Sequence, residues 1–273
     1  MHRESFIRSV VAEDIGRGDL FGFFGESKNV EGYIVAKSNG VFAGREYIDE
    51  FTKLYGITIE WLTEDGKEFF KGEKLLFLRG ENKTILALER SILNIALHAS
   101  SIATLTANYV KALSGTNVRL LDTRKTRQML RVFEKYAVRC GGGINHRMGL
   151  DDALMLKDTH LATIDDLPNY IKLARKHIPF TTAIEIESES VESAKVAMQV
   201  GADIVMCDNM GIEDMKKVVE YKNSNYPHVL IEASGNVTLE TIKEIAKCGV
   251  DAISTGSIIH QANWIDLSMK IGS

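Results

Sequence analysis

Residues Gly201–Asp208 have the sequence Gly-Ala-Asp-Ile-Val-Met-Cys-Asp, and residues Gly249–Gly256 have the sequence Gly-Val-Asp-Ala-Ile-Ser-Thr-Gly. In each stretch a glycine ends an amphipathic helical pattern, and an aspartate opens a short apolar run. Glycine is common where helices end, and a run that is apolar on both faces is typical of a parallel strand covered by helices. The shared frame therefore predicts repeated β/α units.

Further runs of this kind alternate with helical patterns from Asn117 onward. The predicted strands are Val118–Leu121, Ala153–Leu156, Ala183–Ile186, Ile204–Met206, Val229–Ile231 and Ala252–Ile253. Six or seven such units can close or nearly close a barrel, and a doubly wound open sheet also fits the alternation.

The ends of these strands favour the barrel. Each run is followed by polar or charged residues, such as Asp122–Lys125 after the first and Asp208 after the fourth. A barrel gathers all its strand C-termini around one mouth, whereas an open sheet concentrates them at a single switch point.

The first 115 residues have a mixed pattern, which predicts a small α+β domain. Strand-like runs occur at Gly32–Lys37, Ile57–Leu62 and Leu75–Arg79. Apolar residues then recur at helical spacing over Asn82–Leu113, a length that predicts a break near Ser100–Ser101 and a helix bridging two domains.

Composition excludes several classes of partner. The chain has 273 residues, and its 33 basic and 37 acidic side chains give a net charge of -4. That charge provides no general basic field for nucleic acid, so we expect no nucleic-acid partner. Because the sequence has neither a secretory h-region at its N-terminus nor a bilayer-length apolar run, we expect a cytoplasmic protein without a membrane partner.

Several cations follow the predicted strands. Arg124 and Lys125 come directly after the first strand, and Lys157 follows the second. Arginine matches carboxylate or phosphate at two points and lysine supplies a compact charge, so the set suits an acidic ligand. A solvated basic turn is the alternative for the first pair. His146 and Arg147, which follow three glycines, add two further anion donors.

Acidic side chains supply a second group. Glu185 and Glu187 are two residues apart on one strand and share a face, and Asp208 ends the next strand. Like carboxylates repel, so they need a cation. They could share Mg²⁺ that keeps several waters and leaves room for substrate phosphates, or pair with Lys125 or Lys157.

Two small turns with hydroxyl side chains follow the last two strands, Ala233–Asn236 and Ser254–Ser257, each placed before a predicted helix. Barrels often bind phosphate at such positions, although plain helix capping explains the residues as well. Cations, carboxylates and phosphate turns at one mouth suit a ligand with carboxylates and a magnesium-bound phosphorylated sugar.

Motifs along almost the whole chain resemble the bacterial quinolinate phosphoribosyltransferase family, also called nicotinate-nucleotide pyrophosphorylase (carboxylating). They are Leu-Leu-Asp-Thr-Arg-Lys-Thr (120–126), Glu-Lys-Tyr-Ala-Val-Arg-Cys-Gly-Gly-Gly-Ile-Asn-His-Arg-Met-Gly-Leu (134–150), Leu-Lys-Asp-Thr-His (156–160), Ile-Glu-Ile-Glu (184–187), Met-Cys-Asp-Asn-Met (206–210) and Glu-Ala-Ser-Gly-Asn (232–236). Two stretches depart from the family pattern, Arg127–Met129 and Ser254–Ser257, and neither removes a proposed ligand.

The resemblance implies an α/β architecture of the type II phosphoribosyltransferase kind. Residues 1–106 would form an N-terminal α/β sandwich domain, and residues 107–263 an incomplete seven-stranded α/β barrel. A C-terminal helix over 264–273 would pack back on the first domain. The family also implies a homodimer or a hexamer of dimers, with Arg90 contributed across the interface.

The resemblance further implies the reaction and its residues. Phosphoribosyl pyrophosphate and quinolinate would give nicotinate mononucleotide, pyrophosphate and CO₂ in de novo NAD biosynthesis, with Mg²⁺ held by Glu187 and Asp208. The implied catalytic residues are Lys125, Lys157, Glu187 and Asp208. The implied substrate-binding residues are Arg90, Thr123, Arg124, Lys125, His146, Arg147, Lys157, Glu187, Asp208, Ser234, Gly235, Asn236, Thr255, Gly256 and Ser257.

Three alternatives remain open at this stage. A relative with the same fold could act on another nitrogen-heterocycle acid, since a fold does not fix its substrate. A non-catalytic barrel could sense a phosphorylated ligand. An aldolase-like barrel could use Lys157 to form a Schiff base with a carbonyl substrate.

Overall fold

The computed structural model describes residues 2–272, which form two compact units. The first unit consists of the chain through Ala107, the segment Arg127–Gly142 and the chain from Gln261 onward. The second consists of Asn108–Thr126 and Gly143–His260. Within residues 2–272, none of the helices combines the length and the apolar character that a bilayer-spanning segment needs.

Helices and strands alternate along much of the chain. Up to residue 112 they are α1 (Arg3–Ile15), α2 (Leu20–Phe24), β1 (Asn29–Ala36), β2 (Gly40–Val41), α3 (Arg45–Tyr55), β3 (Thr58–Trp61), β4 (Glu68–Phe69), β5 (Lys74–Glu81) and α4 (Asn82–Ala112). Beyond residue 112 they are β6 (Arg119–Leu121), α5 (Arg131–Cys140), β7 (Leu154–Leu156), α6 (Asp158–Leu161), α7 (Leu167–His177), β8 (Ile184–Ser188), α8 (Val191–Gln199), β9 (Ile204–Asp208), α9 (Ile212–Asn225), β10 (Leu230–Ser234), α10 (Ile242–Ala246), β11 (Ala252–Ser254), α11 (Ser257–His260) and β12 (Leu267–Ile271).

The C-terminal segment is a strand, so the helix expected over 264–273 is wrong. Strand β12 pairs antiparallel with β1, from Gly32 opposite Ile271 to Ala36 opposite Leu267, in a sheet of order β12-β1-β5-β3. Leu267 and Met269 are buried and alternate with more exposed residues, which is the two-residue period of a strand with one covered face.

The segment Arg127–Gly142 belongs to the first unit. The sequence-based prediction had a single boundary after residue 106, which placed this segment in the barrel. Its helix α5 buries aromatic side chains among those of the first unit. The ring of Phe133 meets Tyr47 edge-on with centroids 4.8 Å apart, and the Tyr136 hydroxyl accepts a hydrogen bond of 3.1 Å from the Gly44 N–H. Burial of these aromatic rings stabilises the packing of α5 within the first unit.

Helix α4 is continuous, so the break predicted near Ser100–Ser101 is wrong. The Ser101 hydroxyl donates to the carbonyl of Leu97 at 2.6 Å, one helical turn back. The Ser100 hydroxyl donates to the Ala43 carbonyl at 3.1 Å and accepts from the Ala43 N–H at 2.9 Å. Both polar side chains are therefore satisfied without interrupting the helix.

Glu134 is a fully buried carboxylate in the first unit. It accepts hydrogen bonds from the Arg127 N–H at 2.9 Å and from the Arg127 guanidinium at 2.6 Å, and it lies 3.0 Å from His98 Nε2. Burial raises the pKa of Glu134, but the hydrogen bonds from His98 and Arg127 outweigh burial and leave the pKa lowered. The ionised carboxylate therefore stabilises this unit.

Glu134→Gln is expected to lower the free energy of unfolding by about 1–3 kcal/mol at neutral pH, since it removes charge-assisted hydrogen bonds from a buried group. A carboxyl with a lowered folded pKa stabilises the protein above its unfolded pKa, and this contribution is lost as the pH falls through the folded pKa. The difference between variant and wild type should therefore shrink on acidification. Urea unfolding across pH measures this, with exposed Glu213→Gln as the control; a constant difference would contradict it.

The second unit has an all-parallel sheet of order β6-β11-β10-β9-β8-β7. Strands adjacent in sequence are adjacent in the sheet, except that the first strand, β6, pairs with the last, β11. This strand order is that of an incomplete barrel, in which β6 and β7 do not pair with each other within the described residues, so the predicted barrel is confirmed and the open doubly wound sheet is excluded. Within the described residues there are six strands and one parallel bridge, Leu121 to Ile144, rather than seven strands.

The shared glycine–aspartate frame has a structural cause. Gly201 and Gly249 have φ of 92° and 86°, which glycine adopts readily where a helix ends. The aspartate two residues later bonds the start of the neighbouring strand: an Asp203 carboxylate oxygen accepts from the Ile184 N–H at 2.6 Å, and one of Asp251 accepts from the Ile231 N–H at 2.8 Å. Each frame thus sets the register of one strand pair.

Candidate active site

The carboxyl ends of the parallel strands surround a cavity of about 320 Å³ in the second unit. Most of the residues predicted for the site line it: Thr123, Arg124, Lys125, His146, Arg147, Lys157, Glu187, Asp208, Ser234, Gly235 and Asn236. The prediction that the strand ends converge is therefore confirmed for these positions.

The turn after β11, Ser254–Ser257, lines the cavity less extensively than predicted. Ser254 lines the cavity, whereas Thr255, Gly256 and Ser257 are not among the lining residues. Gly256 lies beside the site, since a Cβ atom there would be 3.2 Å from the Cβ of Lys125. Arg90 is an exposed residue of α4 in the first unit, and its role across an interface stays a prediction.

The turn after β10 does not lead directly into a helix, contrary to the expectation for Ala233–Asn236. Helix α10 begins at Ile242, well beyond Asn236. Gly235 and Asn236 have φ of 86° and 51°, so the turn is built from left-handed residues. Any phosphate donors here would be the N–H groups of this turn, because successive left-handed or turn residues form anion-binding concavities.

Two guanidinium groups form the cationic side of the cavity. The Nε of Arg124 is buried and has no hydrogen-bond partner within residues 2–272. The Arg147 guanidinium donates to the Ala153 carbonyl at 3.0 Å and contacts Met155 Sδ at 3.4 Å. Burial, and then the positive charge of Arg124, lower the pKa of Arg147. Because both groups are cationic and one buried donor lacks a partner, the cavity favours an anionic ligand.

Lys157 and Glu187 form an ion pair, with 2.5 Å between Nζ and Oε2. Glu187 is buried, at 7% exposure, and the lysine side chain is 44% exposed. The ion-pair alternative for the carboxylates is thus realised at Lys157. The Asp208 carboxylate accepts a hydrogen bond at one of its two oxygens, Oδ2, from the side-chain amide of Asn209 at 2.8 Å.

Glu185 faces the same interior but has a different partner. His146 Nε2 lies 3.2 Å from Glu185 Oε2 and 3.3 Å from Glu232 Oε2, and both carboxylates are buried. Burial lowers the pKa of His146, but hydrogen bonding and attraction from Glu185 and Glu232 raise it to about 10. Burial is the main cause of the raised pKa of Glu185.

The other ring nitrogen of His146 accepts a hydrogen bond. The Arg147 N–H donates to Nδ1 at 2.7 Å, so Nδ1 needs its lone pair and the ring proton lies on Nε2, between the two carboxylates. A second proton, on Nδ1, would displace the Arg147 N–H. This hydrogen bond therefore opposes full protonation of the ring, whereas the two carboxylates favour it. The ligand atoms of His146, Glu185 and Glu232 lie within 4.8 Å of one another. In this arrangement Nε2 carries a proton that faces Glu185 and Glu232, and a metal ion at Nε2 would have to displace it.

Three residues that line or support the cavity were not among the predicted catalytic, substrate-binding or metal-binding residues. Glu232 supports His146 from β10, and its signal was an acidic residue inside an otherwise apolar strand. Ser254 was assigned to a turn rather than to the cavity lining. Asn209 follows Asp208 directly and has a φ of 53°, a conformation in which asparagine is enriched.

A parallel barrel with cations, carboxylates and a small turn at one mouth is the arrangement expected of an enzyme of the phosphoribosyltransferase type. Residues 17–100 match the model of the quinolinate phosphoribosyl transferase N-terminal domain, and residues 102–270 match that of the C-terminal domain. The chain belongs to the quinolinate phosphoribosyltransferase family.

Relatives over the full length agree. Proteins named probable nicotinate-nucleotide pyrophosphorylase [carboxylating] are 38% identical in Synechocystis, over 98% of this chain and 92% of the relative, and 38% identical in Bacillus subtilis, over 95% and 90%. The solved nicotinate-nucleotide pyrophosphorylase from Francisella tularensis is 34% identical, with a TM-score of 0.92 over 99% of this chain and 96% of that chain. The enzyme of that name from Ehrlichia chaffeensis is 30% identical, with a TM-score of 0.93 over 100% and 99%.

Proposed function

We propose that this protein transfers the phosphoribosyl group of phosphoribosyl pyrophosphate to quinolinate with decarboxylation, giving nicotinate mononucleotide, pyrophosphate and CO₂ in de novo NAD biosynthesis. The observation that carries the proposal is that the cations Arg124, Arg147 and Lys157 and the carboxylates Glu187 and Asp208 line one cavity. A dianionic acid suits the first set, and a phosphorylated sugar suits the second. The names of the full-length relatives support the same reaction.

Quinolinate binding would use the cations. The guanidinium groups of Arg124 and Arg147 can each hold a carboxylate at two points, and the Lys157 ammonium adds a compact charge at the end of β7. Lys125, His146 and Thr123 complete the wall around the ring. These contacts would orient the ring nitrogen towards the ribose carbon that it attacks, and orientation of this kind supplies much of the catalysis.

Transfer would proceed through electrostatic stabilisation. As pyrophosphate departs, positive charge develops on the ribose, and the carboxylates of Glu187 and Asp208 stabilise it. The turn Ser234–Asn236, with the turn after β11, would hold phosphate oxygens. Once the ring nitrogen carries ribose it is cationic, so it stabilises the electron pair that stays on the neighbouring ring carbon when CO₂ leaves. That carbon then takes up a proton from solvent, and decarboxylation follows transfer. No covalent enzyme intermediate is needed.

Glu187 and Asp208 fit a site for Mg²⁺. Both offer hard carboxylate oxygens at neighbouring strand ends, and Mg²⁺ is typically bound by one or two carboxylates together with substrate phosphates and waters. When bound with phosphoribosyl pyrophosphate, Mg²⁺ would neutralise charge on the leaving pyrophosphate. Chelation should abolish turnover and added Mg²⁺ should restore it, while Asp208→Asn should raise the Mg²⁺ concentration needed for half-maximal rate. Full activity in excess chelator would contradict this assignment.

We also propose a cytoplasmic homodimer, or a hexamer of dimers, in which Arg90 completes the site of the neighbouring subunit. The exposure of Arg90 on α4 is compatible with that role. Mixing an inactive Arg90→Ala protein with an inactive Lys157→Ala protein should restore activity, because mixed dimers would contain one site with both residues. Mixtures as inactive as their components would contradict a shared site.

The reaction is tested by incubating the purified protein with quinolinate, phosphoribosyl pyrophosphate and Mg²⁺ and following nicotinate mononucleotide by mass. Nicotinate serves as the competing acceptor. We expect product from quinolinate alone. Turnover of nicotinate instead, or binding of both ligands without turnover, would overturn the proposal in favour of a relative with another substrate or of a sensor.

A further inference from the structure

The loops after β9 and β10 are joined at the edge of the cavity. Asp208 and Ser234 are register partners at the ends of these strands, and the Asn209 N–H donates to the Ser234 carbonyl at 2.9 Å. Asp208, Asn209, Gly235 and Asn236 all line the cavity. The acidic residue and the small turn therefore belong to one bonded assembly.

Side-chain amides extend this connection. The Asn236 amide donates to Asn209 Oδ1 at 2.9 Å, and the Asn209 amide donates to Asp208 Oδ2 at 2.8 Å. A carboxylate can only accept, so the NH₂ group of Asn209 must face Asp208 and its oxygen must face Asn236. The direction of the chain of hydrogen bonds is thereby fixed, and Asp208 Oδ1 is left for a ligand.

The backbone makes this arrangement difficult to change. Asn209 and Asn236 have φ of 53° and 51°, in the left-handed region that asparagine tolerates better than most side chains. Gly235 lies directly against Asn209, since a Cβ atom at Gly235 would be 2.2 Å from Asn209 Oδ1 and 2.9 Å from Asn209 N. The two loops are thus in direct contact and cannot shift independently.

We infer that Asn209 is a positioning residue that fixes the separation between the Asp208 carboxylate and the Gly235–Asn236 turn. The inference rests on the proposed function, in which these two groups hold different parts of phosphoribosyl pyrophosphate. A ligand that spans both loops gains affinity when their spacing is set before it binds, because less ordering accompanies binding. Quinolinate, which the proposed function assigns to Arg124, Arg147 and Lys157, should not depend on this spacing.

Asn209→Gly is the decisive variant, since glycine adopts the left-handed conformation without strain and removes both side-chain hydrogen bonds. We expect KM for phosphoribosyl pyrophosphate to rise about tenfold, the effect of losing roughly one hydrogen bond to a charged group. KM for quinolinate and the melting temperature should stay close to the wild-type values. Equal increases in both KM values, or a fall in kcat and melting temperature alone, would indicate a purely structural role and overturn the inference.

Two further variants test the coupling. Asn236→Gly breaks the same chain at its other link, so the double variant should have nearly the KM of either single variant; multiplicative effects would show independent contributions and contradict the coupling. Asn209→Asp keeps the acceptor for Asn236 but places a second carboxylate beside Asp208. It should raise KM for phosphoribosyl pyrophosphate more than Asn209→Gly does, and an unchanged KM would contradict the inference.

Calorimetric binding of phosphoribosyl pyrophosphate with Mg²⁺ separates this inference from the proposed reaction. If the wild type binds this ligand but does not turn over quinolinate, the proposed reaction fails, and the tenfold loss of affinity expected in Asn209→Gly still decides the inference. A wild type that does not bind it overturns both. Asn225→Gly is the control and should bind normally, because Asn225 is an exposed asparagine of the same unit whose amide donates to the Tyr221 carbonyl at 3.0 Å and which does not line the cavity.

Discussion

Lys157→Ala is expected to lower kcat/KM for quinolinate about 10²–10³-fold, because a charge-assisted contact in an active site contributes about 2–4 kcal/mol to the transition state. Lys157 combines two roles at the end of β7: its ammonium faces the cavity and holds Glu187 at 2.5 Å. Removing it takes away a cation for the substrate and leaves a buried carboxylate without its partner. Steady-state kinetics with each substrate varied in turn measure the effect.

A matched control is available on the surface of the same unit. Lys217 is also paired with a carboxylate, Asp214, at 2.8 Å, but both side chains are exposed. Lys217→Ala should leave kcat/KM unchanged, since exposed ion pairs contribute little. Circular dichroism should show an intact fold for Lys157→Ala, and near-normal turnover in that variant would remove Lys157 from the catalytic set.

The barrel could be predicted because its signal is local and repeated. Each parallel strand is a short run that is apolar on both faces, and a polar residue marks its end, as Asp208 does for β9. Parallel topology then brings all these ends together without further information. That is why Arg124, Lys157, Glu187 and Asp208, which are far apart in the sequence, could be expected in one cavity.

The features that were mispredicted depend on tertiary neighbours. Strand β12 has only five residues, and its conformation is decided by the open edge of β1 with which it pairs. Residues 131–140 form the expected kind of amphipathic helix, but only the aromatic side chains of the first unit determine where it packs. Similarly, the shared face of Glu185 and Glu187 was predictable from the two-residue period, and pairing with Lys157 was one of the two alternatives for the carboxylates, whereas the pairing of Glu185 with His146 was not predicted.

His146→Leu is expected to lower the free energy of unfolding by about 3–5 kcal/mol at neutral pH, because it leaves two buried carboxylates facing each other without a proton donor. Glu185 and Glu232 are 0% and 2% exposed, so water cannot replace the imidazole. Leucine fills a similar volume, which separates the electrostatic effect from a packing defect. His228→Leu, at an exposed position, is the control and should change stability by less than about 0.5 kcal/mol.

The pH dependence of His146→Leu gives the sharper test. Burial and Glu232 raise the pKa of Glu185, whereas His146 lowers it, so removing His146 must raise that pKa further. A carboxyl whose folded pKa exceeds its unfolded pKa loses stability as the pH rises from the unfolded pKa through the folded pKa. The deficit of His146→Leu relative to the His146→Leu/Glu232→Gln double variant, which lacks one buried charge, should therefore be smaller near pH 5 than near pH 8. Equal stabilities of these two variants at both pH values would mean that His146 stabilises the barrel by packing and not by holding the proton between these carboxylates.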